Sequence, residues 1–255
     1  KDRWGNCKPN DGELTNYEFP YVNQAKIDAD TNATNWHLTQ IQLPSGGTLK
    51  INYEADDYSY VQDQRTMEMF RIAGVGSSNN FAPRNQLYQD IDRPYEYIYF
   101  RRDKSREIPG KSMKENYLEN TDLLYFSFNV DIAARNRYEH IKGYAKVEDI
   151  GYCDNNSNSD YGYIKVKLES AGQKSDKKLN PVTLAGLNTG RYYLPHVIYP
   201  GYNEGEPGDM EVLKGLVAAT KEMLTIWQNA NVRFVKNGLA KEFKVNKSWI
   251  RLHTP

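Results

Sequence analysis

Three sets of residues carry side chains whose type and spacing could do chemistry. Two runs place oxygen-bearing side chains at alternate positions, Asp28-x-Asp30-x-Asn32 and Asp154-x-Asn156-x-Asn158-x-Asp160. A hard cation takes roughly six to eight oxygens, and a loop with this spacing can wrap one, so calcium is the cofactor these runs would hold. Neither has glycine at its sixth position, where Ala33 and Ser159 sit, nor glutamate at its twelfth, where Thr39 and Lys165 sit. That excludes an EF-hand and leaves a looser calcium loop or a plain polar turn. Glu54, Asp56 and Asp57 form the second set. Carboxylates held roughly 5–9 Å apart can hydrolyse a glycoside, but a solvated strand end pairing with Lys50 or Arg65 has the same composition. The third set is Tyr95, Tyr97 and Tyr99, alternating along one strand. Such a face can stack sugars or contact a protein, or pack against its own sheet.

Other chemistries lack their signatures. His37, His140, His196 and His253 are far apart and show no zinc spacing. There is no G-x-S-x-G elbow, neither Cys7 nor Cys153 has catalytic surroundings, and Gly74-x-Gly76 runs into Ser77 and Ser78 rather than a phosphate loop.

The elements that must position these residues follow from composition and pattern. The chain has 255 residues, enough for one large domain or two small ones. The AVILMFWYC set reaches only 39%, yet 20 residues are tyrosine, which favours sheet over helix. Lys+Arg and Asp+Glu balance at 33 each, so the overall charge gives no footprint for nucleic acid. No stretch is apolar enough for a membrane helix. The opening Lys1-Asp2-Arg3-Trp4-Gly5 has neither an initiator Met nor a signal peptide, and we expect an excised or processed piece. Two cysteines fit one disulfide outside the cell or two idle thiols inside it.

Residues 1–37 are polar and turn-rich, and read as irregular lead-in with short strands. Leu38 to Leu43 and Leu49 to Tyr53 alternate on either side of Pro44-Ser45-Gly46-Gly47, which predicts a β-hairpin. A Ser/Asn/Pro stretch, Ser77 to Asn85, opens a second unit of antiparallel sheet reaching about residue 170. Its strands include Leu124, Phe126, Phe128 and Val130 on one face, and Ile164 with Val166 on another. The charged run from Arg101 to Lys114 reads as a solvated loop. Asn180-Pro181 opens a short apolar helix through Leu184 and Leu187. After Asp209, apolar residues recur at three- and four-residue steps through Leu216 and Trp227 to Phe234, with Gly238 at the stop, predicting a long amphipathic helix. The expected fold class is mixed α+β, mainly antiparallel β with one long C-terminal amphipathic helix packed across the sheet.

The opening Asp2-Arg3-Trp4-Gly5, then Leu38-Thr39-Gln40-Ile41-Gln42-Leu43-Pro44-Ser45-Gly46-Gly47 and Tyr53-Glu54, resembles RHS/YD-repeat-like proteins of Bacteroidota. Residues 53–62 also resemble very large surface or secreted proteins of the same bacteria, and a weaker likeness is to the type IX secretion translocon. The resemblance implies β-hairpins that spiral into a shell, sometimes around a toxin. It divides the chain into a hairpin scaffold at 1–76, an inserted α+β domain at 77–246, and a return to scaffold at 247–255. It further implies a secreted or cell-surface location, with the remainder of a larger polypeptide and a cargo or toxin domain as partners. The function expected is a non-enzymatic structural module in which Trp4, Gly5, Pro44, Gly46, Gly47 and Trp227 hold the fold. Two alternatives stand beside it: a carbohydrate- or protein-binding domain on the tyrosine-rich sheet, and a carboxylate-dependent glycoside hydrolase.

Overall fold

The computed structural model describes residues 26–55, 60–61, 64–90, 93–119, 121–132, 136, 138–170, 178–193 and 240–253. In chain order these form α1 (Lys26–Ala33), β1 (Gln40–Gln42), β2 (Thr48–Lys50), β3 (Tyr60–Val61), β4 (Gln64–Arg65), β5 (Met67–Gly76), β6 (Tyr97–Arg101) and α2 (Met113–Tyr117). They continue with β7 (Leu123–Ile132), β8 (Tyr138–Tyr152), β9 (Tyr161–Val166), β10 (Glu169–Ser170), β11 (Lys178–Leu179), α3 (Pro181–Tyr193), β12 (Ala240–Phe243) and β13 (Trp249–His253).

Period-two alternation explains the main sheet. In β7, Leu124, Phe126, Phe128, Val130 and Ile132 all point to one face and are buried, each worth roughly 1.5–3 kcal/mol relative to exposure. A sheet with one such face must cover it, and this one curls on itself. Its strands run β7, β13, β5, β6, β9, β8, and β8 pairs back onto β7, closing a six-stranded antiparallel barrel. β8 makes closure possible because it is long enough to serve two neighbours. Tyr138 to Lys146 pair with β7, and Val147 to Tyr152 pair with β9, with a register shift between Val147 and Asp149 at the corner. β12 continues the line of β13 along the same edge of β7. The break between them is tied by Ser248, whose hydroxyl donates to the Lys244 carbonyl and accepts the Asn129 N–H.

Large rings fit so narrow an interior because some lie across bare backbone. Gly143 faces Phe126 and Gly162 faces Phe100 across their strand pairs. A Cβ added to either glycine would meet the opposing ring Cζ at 2.8 or 2.9 Å. At the start of β7, α2 adds Met113, Tyr117 and Leu118 to the core, with Tyr117 edge-on to Phe70 and Phe100. At its other end α3 contributes Val182 and Leu187.

Two expectations change. The mixed α+β class with a long C-terminal helix is corrected to a mainly antiparallel barrel, with three short helices among the described residues. The stretch 209–238 expected to form that helix, with Trp227, lies outside the described residues, as do Trp4 and Gly5. The described core is filled by the inward faces of the barrel strands, with short contributions from α2 and α3. The lead-in is not all irregular, since Lys26–Ala33 is helical. β5 and β13 are adjacent strands of the barrel, Met67 to Arg71 pairing with His253 to Trp249.

Candidate functional site

The predicted hairpin is present, and among the described residues it shares no strand pairing with the barrel. Among the described residues β1 and β2 pair only with each other, Gln40 with Lys50, Ile41 with Leu49 and Gln42 with Thr48. The Gly46 N–H donates to the Leu43 carbonyl at 2.9 Å, and the Leu43 N–H to the Gly47 carbonyl at 2.8 Å. Pro44 suits the first turn position, and Gly46 takes φ +85°, the left-handed residue of a three-residue hairpin loop. The register places Ile41, Leu43, Leu49 and Ile51 on one face and Gln40, Gln42, Thr48 and Lys50 on the other. Leu43 and Leu49 are 40% and 52% exposed, and the neighbouring Trp36 is 97% exposed. Beneath the hairpin, the Tyr53 hydroxyl donates to the Leu38 carbonyl and the His37 ring lies 5.0 Å from that of Tyr53. The Ala55 N–H donates to Asp30, joining α1 to the hairpin's end.

A second constellation lies where the sequence reading placed solvated charge. Arg102 is buried, and its Nε and one terminal nitrogen form a bidentate pair with Glu107, at 2.7 and 2.5 Å. The other terminal nitrogen donates to the Ser157 and Ser159 carbonyls, and the guanidinium lies 4.4 Å over the Tyr152 ring. The Tyr117 hydroxyl donates to Glu107 and accepts the Asp103 N–H. Burial alone would raise the Glu107 pKa, but its hydrogen bonds from Arg102 and Tyr117 outweigh burial and hold it below the usual range. Every Arg102 nitrogen is thereby engaged, and the group clamps the loop after β6 to the loop after β8. The signal missed was local: an Arg and a Glu five residues apart, flanked by turn residues.

The clamp decides how the 154–160 run is used. Asp154 accepts the Phe81 N–H, Asn156 accepts the Asn158 N–H, and Asp160 pairs with Lys104, which also donates to the Asn158 carbonyl. The run is thus a turn whose side chains cap its own backbone and neighbours. The 28–32 run lies on α1 rather than in a loop, and Asp30 accepts the Ala55 N–H. Among the described residues no three His, Cys, Asp or Glu side chains gather as a metal site.

The tyrosines do not form an open row. Tyr95 and Tyr99 are buried, and Tyr97 is half-buried against Tyr163. Tyr99 and Tyr163 belong with Cys153 to a small cluster outside the barrel, against which Phe81 and Tyr161 pack, their rings stacked at 3.9 Å. The Tyr99 hydroxyl hydrogen is shared between the Ser78 and Asn80 carbonyls, each 2.8 Å away. Cys153 is a free buried thiol whose pKa burial pushes up to about 12, which removes its nucleophilicity.

The remaining candidates stay separate. Glu54 is exposed on the strand end beyond β2, and Asp56 and Asp57 lie outside the described residues. Burial lowers the pKa of both His140 and His253; Lys142 and Lys247 add to the first shift, while Glu119 opposes the second. His196 and Cys7 lie outside the described residues. No helix among the described residues is long and apolar enough to cross a membrane. Comparison with protein-family models, with curated proteins and with solved structures gives no match for the chain.

Proposed function

We propose that the chain is a non-enzymatic structural module of a larger secreted or cell-surface protein, in which the barrel anchors and the β1–β2 hairpin makes the contact. The observation behind this reading is the hairpin's apolar face, where Leu43 and Leu49 are presented to solvent, with the exposed Trp36 preceding it in the chain, on an element that pairs with no strand of the barrel among the described residues. An isolated two-stranded hairpin is marginal in water, and exposed apolar side chains grouped on one face mark a contact surface. The likeness of Leu38 to Gly47 to the RHS-type hairpin supports the same reading. There, further hairpins of the parent polypeptide cover that face and build a shell around a cargo or toxin domain.

The test is hydroxyl-radical footprinting of the native protein from its source, read by mass spectrometry against the 255-residue chain alone. The reading expects a longer parent in which Trp36, Leu43 and Leu49 are labelled several-fold less. Equal labelling in both, or a native protein no longer than this chain, would sink it.

A further inference from the structure

The β1–β2 hairpin has a free edge as well as an apolar face. The Leu43 N–H bonds the Gly47 carbonyl, and the Ile51 N–H bonds the Thr39 carbonyl. Along an antiparallel strand, residues alternate between turning both backbone groups toward the neighbour and turning them away. Thr39, Ile41 and Leu43 therefore face β2, while the N–H and C=O of Gln40 and Gln42 point to the other side of β1. Both glutamines are exposed, and among the described residues nothing bonds these backbone groups. An open edge is ordinarily guarded by a charge, a proline or a bulge. The exposed Lys50 guards β2, whereas Leu38 to Leu43 carries no charge. The strand is also symmetric about Ile41, with one glutamine on each side.

We propose that a second copy of this chain adds its own β1 to this edge, antiparallel, about a two-fold axis at Ile41. This rests on the reading that the hairpin makes the contact; it names what takes the edge and leaves the face to the parent polypeptide. In this register Gln40 lies opposite the second copy's Gln42, and Gln42 opposite its Gln40. Each pair exchanges both backbone hydrogen bonds and sets amide beside amide on the polar face. Ile41 meets its counterpart on the apolar face. Two residues further out, Leu38 falls opposite Pro44, which has no N–H to donate, and the Leu38 carbonyl already accepts from the Tyr53 hydroxyl. The ladder thus ends at the same point on both sides of the axis. Pairing joins two marginal hairpins into a four-stranded sheet, with Ile41, Leu43, Leu49 and Ile51 of both copies on one face, the strand number at which such a sheet becomes stable.

The test is sedimentation equilibrium of the full chain at low salt, from about 1 μM to 1 mM. Gln40→Lys/Gln42→Lys sets lysine opposite lysine in both pairs, and Gln40→Lys/Gln42→Glu sets lysine opposite glutamate in both. Thr48→Lys adds a cation to the β2 edge as the control. All three sites are exposed, and circular dichroism checks folding. The proposal expects a wild-type dimer, weakened about tenfold by the lysine pair, kept by the lysine–glutamate pair, and unchanged by Thr48→Lys. A monomer across this range, a lysine pair that associates as tightly as wild type, or an equal loss in Thr48→Lys would each overturn it. Footprinting separates this from the parent reading. A monomeric chain whose Leu43 and Leu49 are still protected in the native protein removes the dimer alone; a dimer whose native protein is no longer than this chain removes the parent alone.

Discussion

Replacing Glu107 with Gln tests whether the loop clamp holds the barrel's end together. The side-chain exposures are 4% for Arg102 and 13% for Glu107, so the substitution leaves a buried guanidinium facing a neutral amide. Glutamine keeps an oxygen for Tyr117 but turns one Arg102 contact into donor against donor. Breaking one half of a buried pair costs about 3–5 kcal/mol, and retaining one acceptor places this variant near the lower end, about 3 kcal/mol. For a domain of this size that is a fall in Tm of roughly 6–12 °C. The pH dependence adds a second readout. The Glu107 pKa is depressed in the folded state, so its contribution is present above the usual value of 4.5 and is lost as pH falls through the folded pKa. His140 and His253 are depressed bases, so stability also declines as pH falls below 6.5, because the unfolded chain takes up protons there. Glu68, whose pKa burial raises, works in the opposite sense. The difference between wild type and variant isolates Glu107: the gap in Tm stays constant from pH 8 to 5 and narrows below 4.5. A loss under about 2 °C, or a gap independent of acid, would refute the clamp.

Other perturbations separate local from global stability. Gly46→Val forces a β-branched residue to φ +85°, costing about 1–2 kcal/mol. It should speed amide exchange at Leu43 and Ile51 while the barrel melts as before. Gly47→Val should leave exchange unchanged, since its new Cβ meets nothing closer than Leu43 Cδ1 at 3.7 Å. Tyr99→Phe strips the Ser78 and Asn80 carbonyls of their shared donor and should cost about 1–3 kcal/mol in urea unfolding. Tyr163→Phe, whose hydroxyl bonds the exposed Asp149, should cost less than Tyr99→Phe in the same assay. Alkylation of Cys153 at pH 8, followed by peptide mapping, should be negligible in the native chain and prompt in urea.

Those predictions rest on elements that differ in how far the sequence revealed them. The β1–β2 hairpin and the strands β7 and β9 were legible, because in each an apolar alternation meets solvent or turn residues on both sides. The α3 helix was legible too, from Asn180-Pro181 and the spacing of Leu184 and Leu187. β8 was not. Opposite β7 its outward residues are Tyr138, His140, Lys142, Tyr144 and Lys146, and inward it offers Ile141, Gly143 and Ala145, so no apolar run stands out until Phe126 is known to lie across Gly143. Barrel closure is a long-range fact of the same kind, since only pairing shows β13 lying between β5 and β7.

The surfaces follow the same logic. A closed barrel turns every second strand residue outward, so residues from distant parts of the chain become neighbours without any local motif. Arg71 and Trp249 are 178 positions apart in sequence, yet face each other across one ladder step. By contrast the row Tyr95, Tyr97, Tyr99 is conspicuous in sequence, and the fold spends it on packing: Tyr95 in the core, Tyr99 beneath the Ser78–Asn80 turn. In this fold a tyrosine-rich strand is spent on packing, whereas Tyr144, which no sequence pattern singles out, is the tyrosine left 58% exposed on β8.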